Sequence, residues 1–411
     1  MTGAVIERSR RVGARVGARV GAQHVAPLHR FIPLLGLLAG CSAASERALP
    51  PASGRLFTLL PSSYTGVRFE NRLSDTRELN VFTYRNYYNG GGVAIGDLTG
   101  DGLPEIVLTS NLGGTHVYLN EGKFRFRDVT AAAGLHSKGW TTGVTLADVN
   151  GDGRLDIYVC HAGLGDGRLR ANELYINQGT NAQGIPTFVE QAAAYGVADS
   201  GYSTQAAFLD YDRDGDLDLF VINNSPRPVA SFELKNTRAI RDPLGGAKLY
   251  RNDGGHFVDV SAAAGIYGSE IGLGLGVGVS DVNRDGWPDI YVANDFFERD
   301  YLYINKGDGT FVERLEQELP YISLSSMGLD IADVNNDGWP DIYVADMLPD
   351  DEHRLKTTTS FETWHRLESE LRNDFYYQFT RNMLHLNNGD GTFSDIGQMA
   401  GVARTDWSWS P

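Results

Sequence analysis

The chain has 411 residues, enough for two or three ordinary domains or one large repeat array. Its 36 Lys and Arg against 52 Asp and Glu give a net charge of −16, which removes the electrostatic reason to bind nucleic acid. With 49 glycines, 42% hydrophobic residues and only 21% charged ones, it reads as a turn-rich β protein, not a coiled coil or a disordered acidic tail.

Residues 1–40 stand apart. Six Arg oppose the single acid Glu7, and the apolar run Phe31-Ile-Pro-Leu-Leu-Gly-Leu-Leu38 leads into Ala39-Gly40-Cys41. A basic segment, a short apolar core and small residues before a cut describe an export signal. The run is too short to span a bilayer as a helix, which takes about 20 residues. Leu38-Ala-Gly-Cys41 looks like a lipobox, whose Cys41 thiol takes the lipid and becomes the mature N-terminus; an ordinary signal peptide ending at a chance Cys is the alternative. Residues 41–62 are read as a tether. If Cys41 carries lipid, Cys160 has no disulfide partner, and it reads as a small buried strand residue.

Along residues 63–411 one nine-residue pattern occurs five times, starting at Asp97, Asp148, Asp210, Asp281 and Asp333. Position 3 is Thr99, Asn150, Asp212, Asn283 or Asn335, and position 5 is Asp101, Asp152, Asp214, Asp285 or Asp337. Position 9 is Glu105, Asp156, Asp218, Asp289 or Asp341, and Gly stands at position 6 each time. Calcium takes six to eight hard oxygen ligands. Alternate side chains at 1, 3 and 5 would point at the ion, and position 9 would close the shell. Position 7 would give a backbone carbonyl, which explains why Leu103, Arg154, Asp216, Trp287 and Trp339 differ so widely. An EF-hand is excluded: its Glu at position 12 is replaced by Leu108, Val159, Val221, Val292 and Val344, and strand-like sequence follows. Metal-free Asx-turns, magnesium and catalytic carboxylates are weighed against calcium. Sixteen carboxylates in five registered copies favour about five structural calcium ions.

A second motif lies between the loops: Val117-Tyr-Leu-Asn120…Phe124, Leu174-Tyr-Ile-Asn177…Phe188, Leu249-Tyr-Arg-Asn252…Phe257, Leu302-Tyr-Ile-Asn305…Phe311 and Leu384-His-Leu-Asn387…Phe393. Each reads as a strand, a turn, and a strand entered at Phe. A small-residue strand precedes each loop, as in Gly272–Val279, whose period-two glycines argue against a phosphate loop. The unit is a four-stranded blade, and the chain an all-β propeller of about five blades.

The repeats resemble the FG-GAP/VCBS repeats of integrin α-chains and of secreted bacterial proteins. Asn86–Asp97, Asn294–Asn305, Ser323–Asp330 and Asn382–Gly391 are similar, more closely, to lipoproteins of the cartilage acidic protein (CRTAC/UnbV)-like group. The resemblance implies seven blades in a full-length relative and a lipid-anchored protein of a Gram-negative-type outer membrane. Trp140 lies eight residues before Asp148, and the same offset from Trp407 reaches position 415, so Thr405–Pro411 is expected to begin a sixth blade of a partial propeller. Two insertions stand out: residues 225–247, with Arg227, Lys235, Arg238 and Arg241, and residues 350–382, with Trp364, Tyr376, Tyr377, Phe379 and helical spacing around Phe361–Leu371. Both are expected to pack over neighbouring blades.

The function expected is a calcium-binding, membrane-anchored extracytoplasmic module that binds a glycan or a protein, without nucleic acid. The alternatives are an integrin-like adhesin and a calcium-dependent polysaccharide lyase or hydrolase. No His-Glu-x-x-His or Gly-x-Ser-x-Gly occurs, and Cys160 and His161, adjacent in a strand, point to opposite faces.

Overall fold

Each repeat folds as its pattern requires. In the computed structural model, which describes residues 57–410 apart from 229, 230, 232, 233 and 360–362, five four-stranded antiparallel sheets follow one another along the chain. The export signal, Cys41, residues 42–56 of the tether, Phe361 and Pro411 lie outside the described residues.

The first sheet holds β1 (Val93–Gly96), β2 (Glu105–Ser110), β3 (Gly114–Asn120) and β4 (Phe126–Asp128). The second holds β5 (Trp140–Ala147), β6 (Asp156–Ala162), β7 (Glu173–Thr180) and β8 (Pro186–Glu190), and the third β9 (Ser203–Leu209), β10 (Asp218–Asn223), β11 (Lys248–Asn252) and β12 (Phe257–Asp259). The fourth holds β13 (Gly274–Ser280), β14 (Asp289–Asn294), β15 (Tyr301–Asn305) and β16 (Phe311–Glu313). After the two-residue β17 (Ile322–Ser323) comes the fifth: β18 (Leu329–Ala332), β19 (Asp341–Val344), β21 (Met383–Asn387) and β22 (Phe393–Asp395). β20 (Gln378–Phe379) pairs parallel with β17.

The first strands β1, β5, β9, β13 and β18 touch in succession, so the sheets stack face to face like propeller blades. This explains why the second strands carry unbroken apolar runs, such as Ile157–Cys160 and Leu219–Ile222, instead of alternating. Ile157 and Val159 pack toward the first sheet, whereas Tyr158 and Cys160 pack toward the third. Phe220 and Ile222 likewise face Ile290 and Tyr303, while Leu219 and Val221 face back to Tyr158 and Leu174. A strand buried on both faces needs no polar side. Blade 1 has no preceding blade among the described residues, and there Val93 and Ile95 are 61% and 65% exposed. Their counterparts in blade 2, Val144 and Leu146, belong to the interblade core.

Equivalent residues meet on the axis. One cavity is lined by Gly91 and Gly92, Thr142 and Gly143, Thr204 and Gln205, Leu275, Met327 and Gly328, and also by Trp409 and Ser410. Trp409 and Ser410 of the segment expected to start a sixth blade thus line the same cavity, and the described residues of that segment form no strand.

One hairpin departs from expectation. The last strand of blade 1 is entered at Phe126, which pairs with Asn120, as Phe311 pairs with Asn305 and Phe393 with Asn387. Phe124 instead is exposed and holds φ +57°, the left-handed place taken by Gly309 and Gly391 in the same five-residue turn.

Both insertions pack over neighbouring blades, as expected. Three cations of residues 225–247 have partners within the chain: Arg227 on Glu270 at 2.7 Å, Arg238 on Glu298 at 2.6 Å, and Arg241 on the Ile266 carbonyl at 2.8 Å. Residues 350–382 carry helices Glu352–Thr358 and Trp364–Arg372, then place Phe375 edge-on against Phe297. Before the first blade, residues 63–92 form no strand. Tyr84 and Tyr87 pack on Trp140, and the Arg85 guanidinium donates to Asn224 Oδ1 and to the carbonyls of Ser225 (2.7 Å) and Arg227 (2.9 Å).

His385 stands where the other blades have Tyr118, Tyr175, Tyr250 and Tyr303. It is fully buried, and burial lowers its pKa to about 4; the Asp395 carboxylate opposes this and Arg381 adds to it. Unfolded, the same His would titrate near 6.5. Between those values the unfolded chain holds the extra proton, so stability falls as pH drops from 6.5 to 4, by at most about 1.4 kcal/mol per unit. His385→Leu is expected to flatten that loss in denaturant unfolding at pH 7 and pH 4.5. Equal acid losses in both proteins would refute it.

Candidate metal centres

The five nine-residue loops join the first strand of each blade to the second, so all lie at one end of the sheets. Gly at position 6 takes φ of +83°, +83°, +98°, +90° and +89°, as the turn demands. Position 4 was not anticipated. Gly100, Gly151, Arg213, Arg284 and Asn336 are all left-handed, with φ between +58° and +79°. Two of them are Gly and one Asn, residues that take this conformation at least cost, which is the signal the sequence offered.

Inside each loop the carboxylates are oriented by backbone N–H groups. The position-1 carboxylate accepts from the position-6 N–H in every copy: Gly102 (2.8 Å), Gly153 (2.7 Å), Gly215 (3.2 Å), Gly286 (2.8 Å) and Gly338 (2.8 Å). Burial tends to raise the Asp97 carboxyl, but the N–H groups of Gly102, Gly100, Thr99 and Asp101 hold it below its ordinary value. At position 5, Asp101, Asp152, Asp214, Asp285 and Asp337 accept from the N–H of Leu103, Arg154, Asp216, Trp287 and Trp339. Position 3 is an amide in three loops, and there Asn150, Asn283 and Asn335 donate to the position-5 carboxylate at 3.2, 2.9 and 2.8 Å.

Position 9 is the buried anchor. Asp156, Asp218, Asp289 and Asp341 are each 1% exposed and Glu105 is fully buried. One oxygen accepts from the position-2 N–H (Leu98, Val149, Tyr211, Val282, Val334), and the other from the N–H of the hairpin Asn (Asn120, Asn177, Asn252, Asn305, Asn387). Burial, then the neighbouring loop carboxylates, push Asp156 up to about 6 and Asp218 and Asp289 up to about 7; the N–H donors oppose this. Such groups favour a nearby cation.

Loop 3 carries this furthest. Oxygens of Asp210, Asp212 and Asp218 lie within 4.8 Å of one another, and Asp210 Oδ1 and Asp212 Oδ1 are buried without a hydrogen-bond partner. Leaving such atoms unpaired costs free energy that a hard cation would recover. The residues present therefore fit a calcium ion.

The Asn of the Leu-Tyr-x-Asn motif, read from sequence only as part of a turn, is an interblade latch in three of the five blades. The side-chain amide of Asn177 donates to the Leu98 carbonyl in the preceding blade's loop at 2.9 Å, that of Asn305 to Tyr211 at 2.8 Å, and that of Asn387 to Val282 at 2.9 Å. The other amide hydrogen goes to the position-8 carbonyl of its own blade, at Leu155, Pro288 and Pro340. Oδ1 accepts from the turn glycine, Gly179, Gly307 or Gly389. Only a short amide supplies two donors and one acceptor there.

Cys160 and His161 do part as expected. Cys160 is buried between the second and third sheets and burial pushes its thiol well up, while His161 lies 3.2 Å from Glu173.

The FG-GAP-like repeat model matches residues 77–159 and 281–344. Human cartilage acidic protein 1 is 25% identical over 349 residues, covering 77% of this chain and 45% of that protein. Mouse integrin alpha-7 is 31% identical over 159 residues, covering 36% of this chain and 12% of its own length. The chain thus spans under half the length of these relatives. Among solved structures, an Agrocybe aegerita lectin that recognises non-reducing terminal N-acetylglucosamine overlaps 74% of this chain and 78% of its own, at 19% identity and a TM-score of 0.36. With four-stranded blades in series, the chain carries FG-GAP-like repeats at residues 77–159 and 281–344 and is similar to cartilage acidic protein 1 and to integrin alpha-7.

Proposed function

We propose that the protein is a calcium-bound propeller, lipid-anchored through Cys41 on the outer membrane, that serves as a binding or assembly module for a glycan or protein ligand. The observation that carries the calcium reading is loop 3, where three carboxylates converge around buried oxygens that nothing else satisfies. Side chains at positions 1, 3, 5 and 9 and the carbonyl at position 7 would hold each ion. The ion supplies positive charge that relieves carboxylate repulsion and fixes the loop.

The blade topology supports ligand contact at the end opposite the loops. There the second-to-third strand connections include both insertions and the turn Asn294–Tyr301. A cavity at that end is lined by Val81, Phe82, Leu164, Tyr202, Pro226 and Phe296, with Phe82 97% exposed. Long loops on a rigid scaffold are where binding concentrates. The cations of residues 225–247 described above are engaged internally, so an acidic polymer finds less free charge there than composition alone implied. Attachment is proposed through lipid on Cys41, from the Leu38–Cys41 motif.

A glycan array probed in calcium and again in EGTA tests the reading. Binding is expected in calcium and is expected to fall away in EGTA. Turnover of an acidic polysaccharide by the purified protein would overturn the non-enzymatic role.

A further inference from the structure

Hydrogen bonds run without a break from loop 5 to loop 3. Asp341 accepts from Asn387 N–H (2.8 Å), and the Asn387 side chain donates to the Val282 carbonyl (2.9 Å). The same Val282 peptide donates through its own N–H to Asp289 (3.0 Å), whose other oxygen accepts from Asn305 N–H (2.8 Å). Asn305 reaches the Tyr211 carbonyl (2.8 Å), and Tyr211 N–H holds Asp218 (3.0 Å). Position-9 carboxylates of three successive blades are therefore joined through two Asn side chains.

A shorter relay joins blades 1 and 2: Asp156, Asn177, the Leu98 peptide and Glu105. Between blades 2 and 3 the relay stops. Asn252 donates to Leu217 of its own blade (3.2 Å), and among the described residues it has no hydrogen bond to the Val149 carbonyl of loop 2.

A second contact, made by different atoms, joins loops 3, 4 and 5 and stops at the same boundary between loops 2 and 3, although loops 1 and 2, with Gly100 at position 4 and Arg154 at position 7, do not share it. Arg213 at position 4 of loop 3 lies over the Trp287 ring of loop 4 (5.2 Å), and Arg284 of loop 4 lies over Trp339 of loop 5 (5.1 Å). Loop 2 has Gly151 at position 4, with no side chain to reach forward, and loop 3 has Asp216 at position 7, with no ring to receive one.

We propose that the loops bind their ions in two cooperative groups, loops 1 and 2 together and loops 3, 4 and 5 together, with Asn177, Asn305 and Asn387 as the positioning residues that transmit occupancy. This rests on the calcium reading above. With Asp289 held by an ion, the Val282 and Asn305 peptides bonded to it would be fixed as well, and the Asn305 side chain would hold the Tyr211 peptide that orients Asp218. The second ion meets a loop already ordered, which is positive coupling between sites.

Terbium, a calcium substitute that luminesces when excited through a nearby Trp, tests it on the intact chain. In a Trp339→Phe background, Trp287 reports loop 4. Adding Asn387→Ala removes only a side chain of the next blade, yet is expected to weaken terbium at loop 4 about fivefold, the effect of one net hydrogen bond. Asn177→Ala, in the other group, is expected to leave loop 4 unchanged. If circular dichroism finds Asn387→Ala unfolded, Asn387→Ser replaces it with the same expectation. Unaltered loop 4 affinity with a normal terbium signal overturns the coupling alone, as does an equal loss from Asn177→Ala. No Trp-sensitised terbium signal in the parent overturns the calcium reading and the coupling with it.

Discussion

Chelating calcium with EGTA is expected to lower the melting temperature by about 10–20 °C, more than any single substitution. An ion present at a hundred times its Kd stabilises the folded state by about 2.7 kcal/mol. Several such sites together rival the whole stability of an ordinary domain, about 5–15 kcal/mol. The loops are not equally dependent. In loops 2, 4 and 5 the position-3 Asn bridges to the position-5 carboxylate and would tie the loop together after chelation. Loop 3 has Asp212 there, and two buried oxygens are left unsatisfied. Asp212→Asn should therefore raise the melting temperature in EGTA while weakening calcium binding. Scanning calorimetry in calcium and in EGTA reads both effects. An unchanged melting curve on chelation would leave the loops as metal-free Asx-turns.

Much of this fold was legible because its signals are local and repeated. A nine-residue loop with Gly at position 6 needs a left-handed turn wherever it occurs, and five copies fix the spacing of the blades. Binary pattern then carried the strands, since a run such as Ile157–Cys160 is apolar throughout only when both faces are covered. What stayed hidden depends on partners distant in sequence. The recurrent Asn of the hairpin motif reads as a turn residue, and nothing local reveals that Asn305 reaches Tyr211, 94 positions away. Phe124 misled for the opposite reason: counting four residues from Asn120 reaches a Phe, but the five-residue turn places Phe126 in the strand. Composition showed only that residues 225–247 are rich in cations, and tertiary structure alone pairs Arg227 and Arg238 with Glu270 and Glu298.

Arg238→Met is expected to cost about 3–5 kcal/mol of unfolding free energy, the range for stranding a buried charge. Both partners are inside: the Arg238 side chain is 6% exposed and that of Glu298 0%. Burial pushes the Glu298 carboxyl up, and Arg238 beside it pulls the other way, so removing the cation leaves burial opposed mainly by the Tyr301 hydroxyl at 2.8 Å. The same guanidinium donates to the Asp374 carbonyl at 3.0 Å and lies 5.9 Å from the Phe375 ring. One side chain thereby joins the first insertion, the Asn294–Tyr301 turn of blade 4 and the second insertion. The double variant Arg238→Met with Glu298→Leu should recover much of the loss, because an apolar pair of similar volume does not suffer the desolvation of the ions. Urea unfolding of the parent, both single variants and the double variant closes the cycle. A loss under about 1 kcal/mol for Arg238→Met would mean that the pair is hydrated, and that the insertions are held by their aromatic contacts, chiefly Phe297 against Phe375.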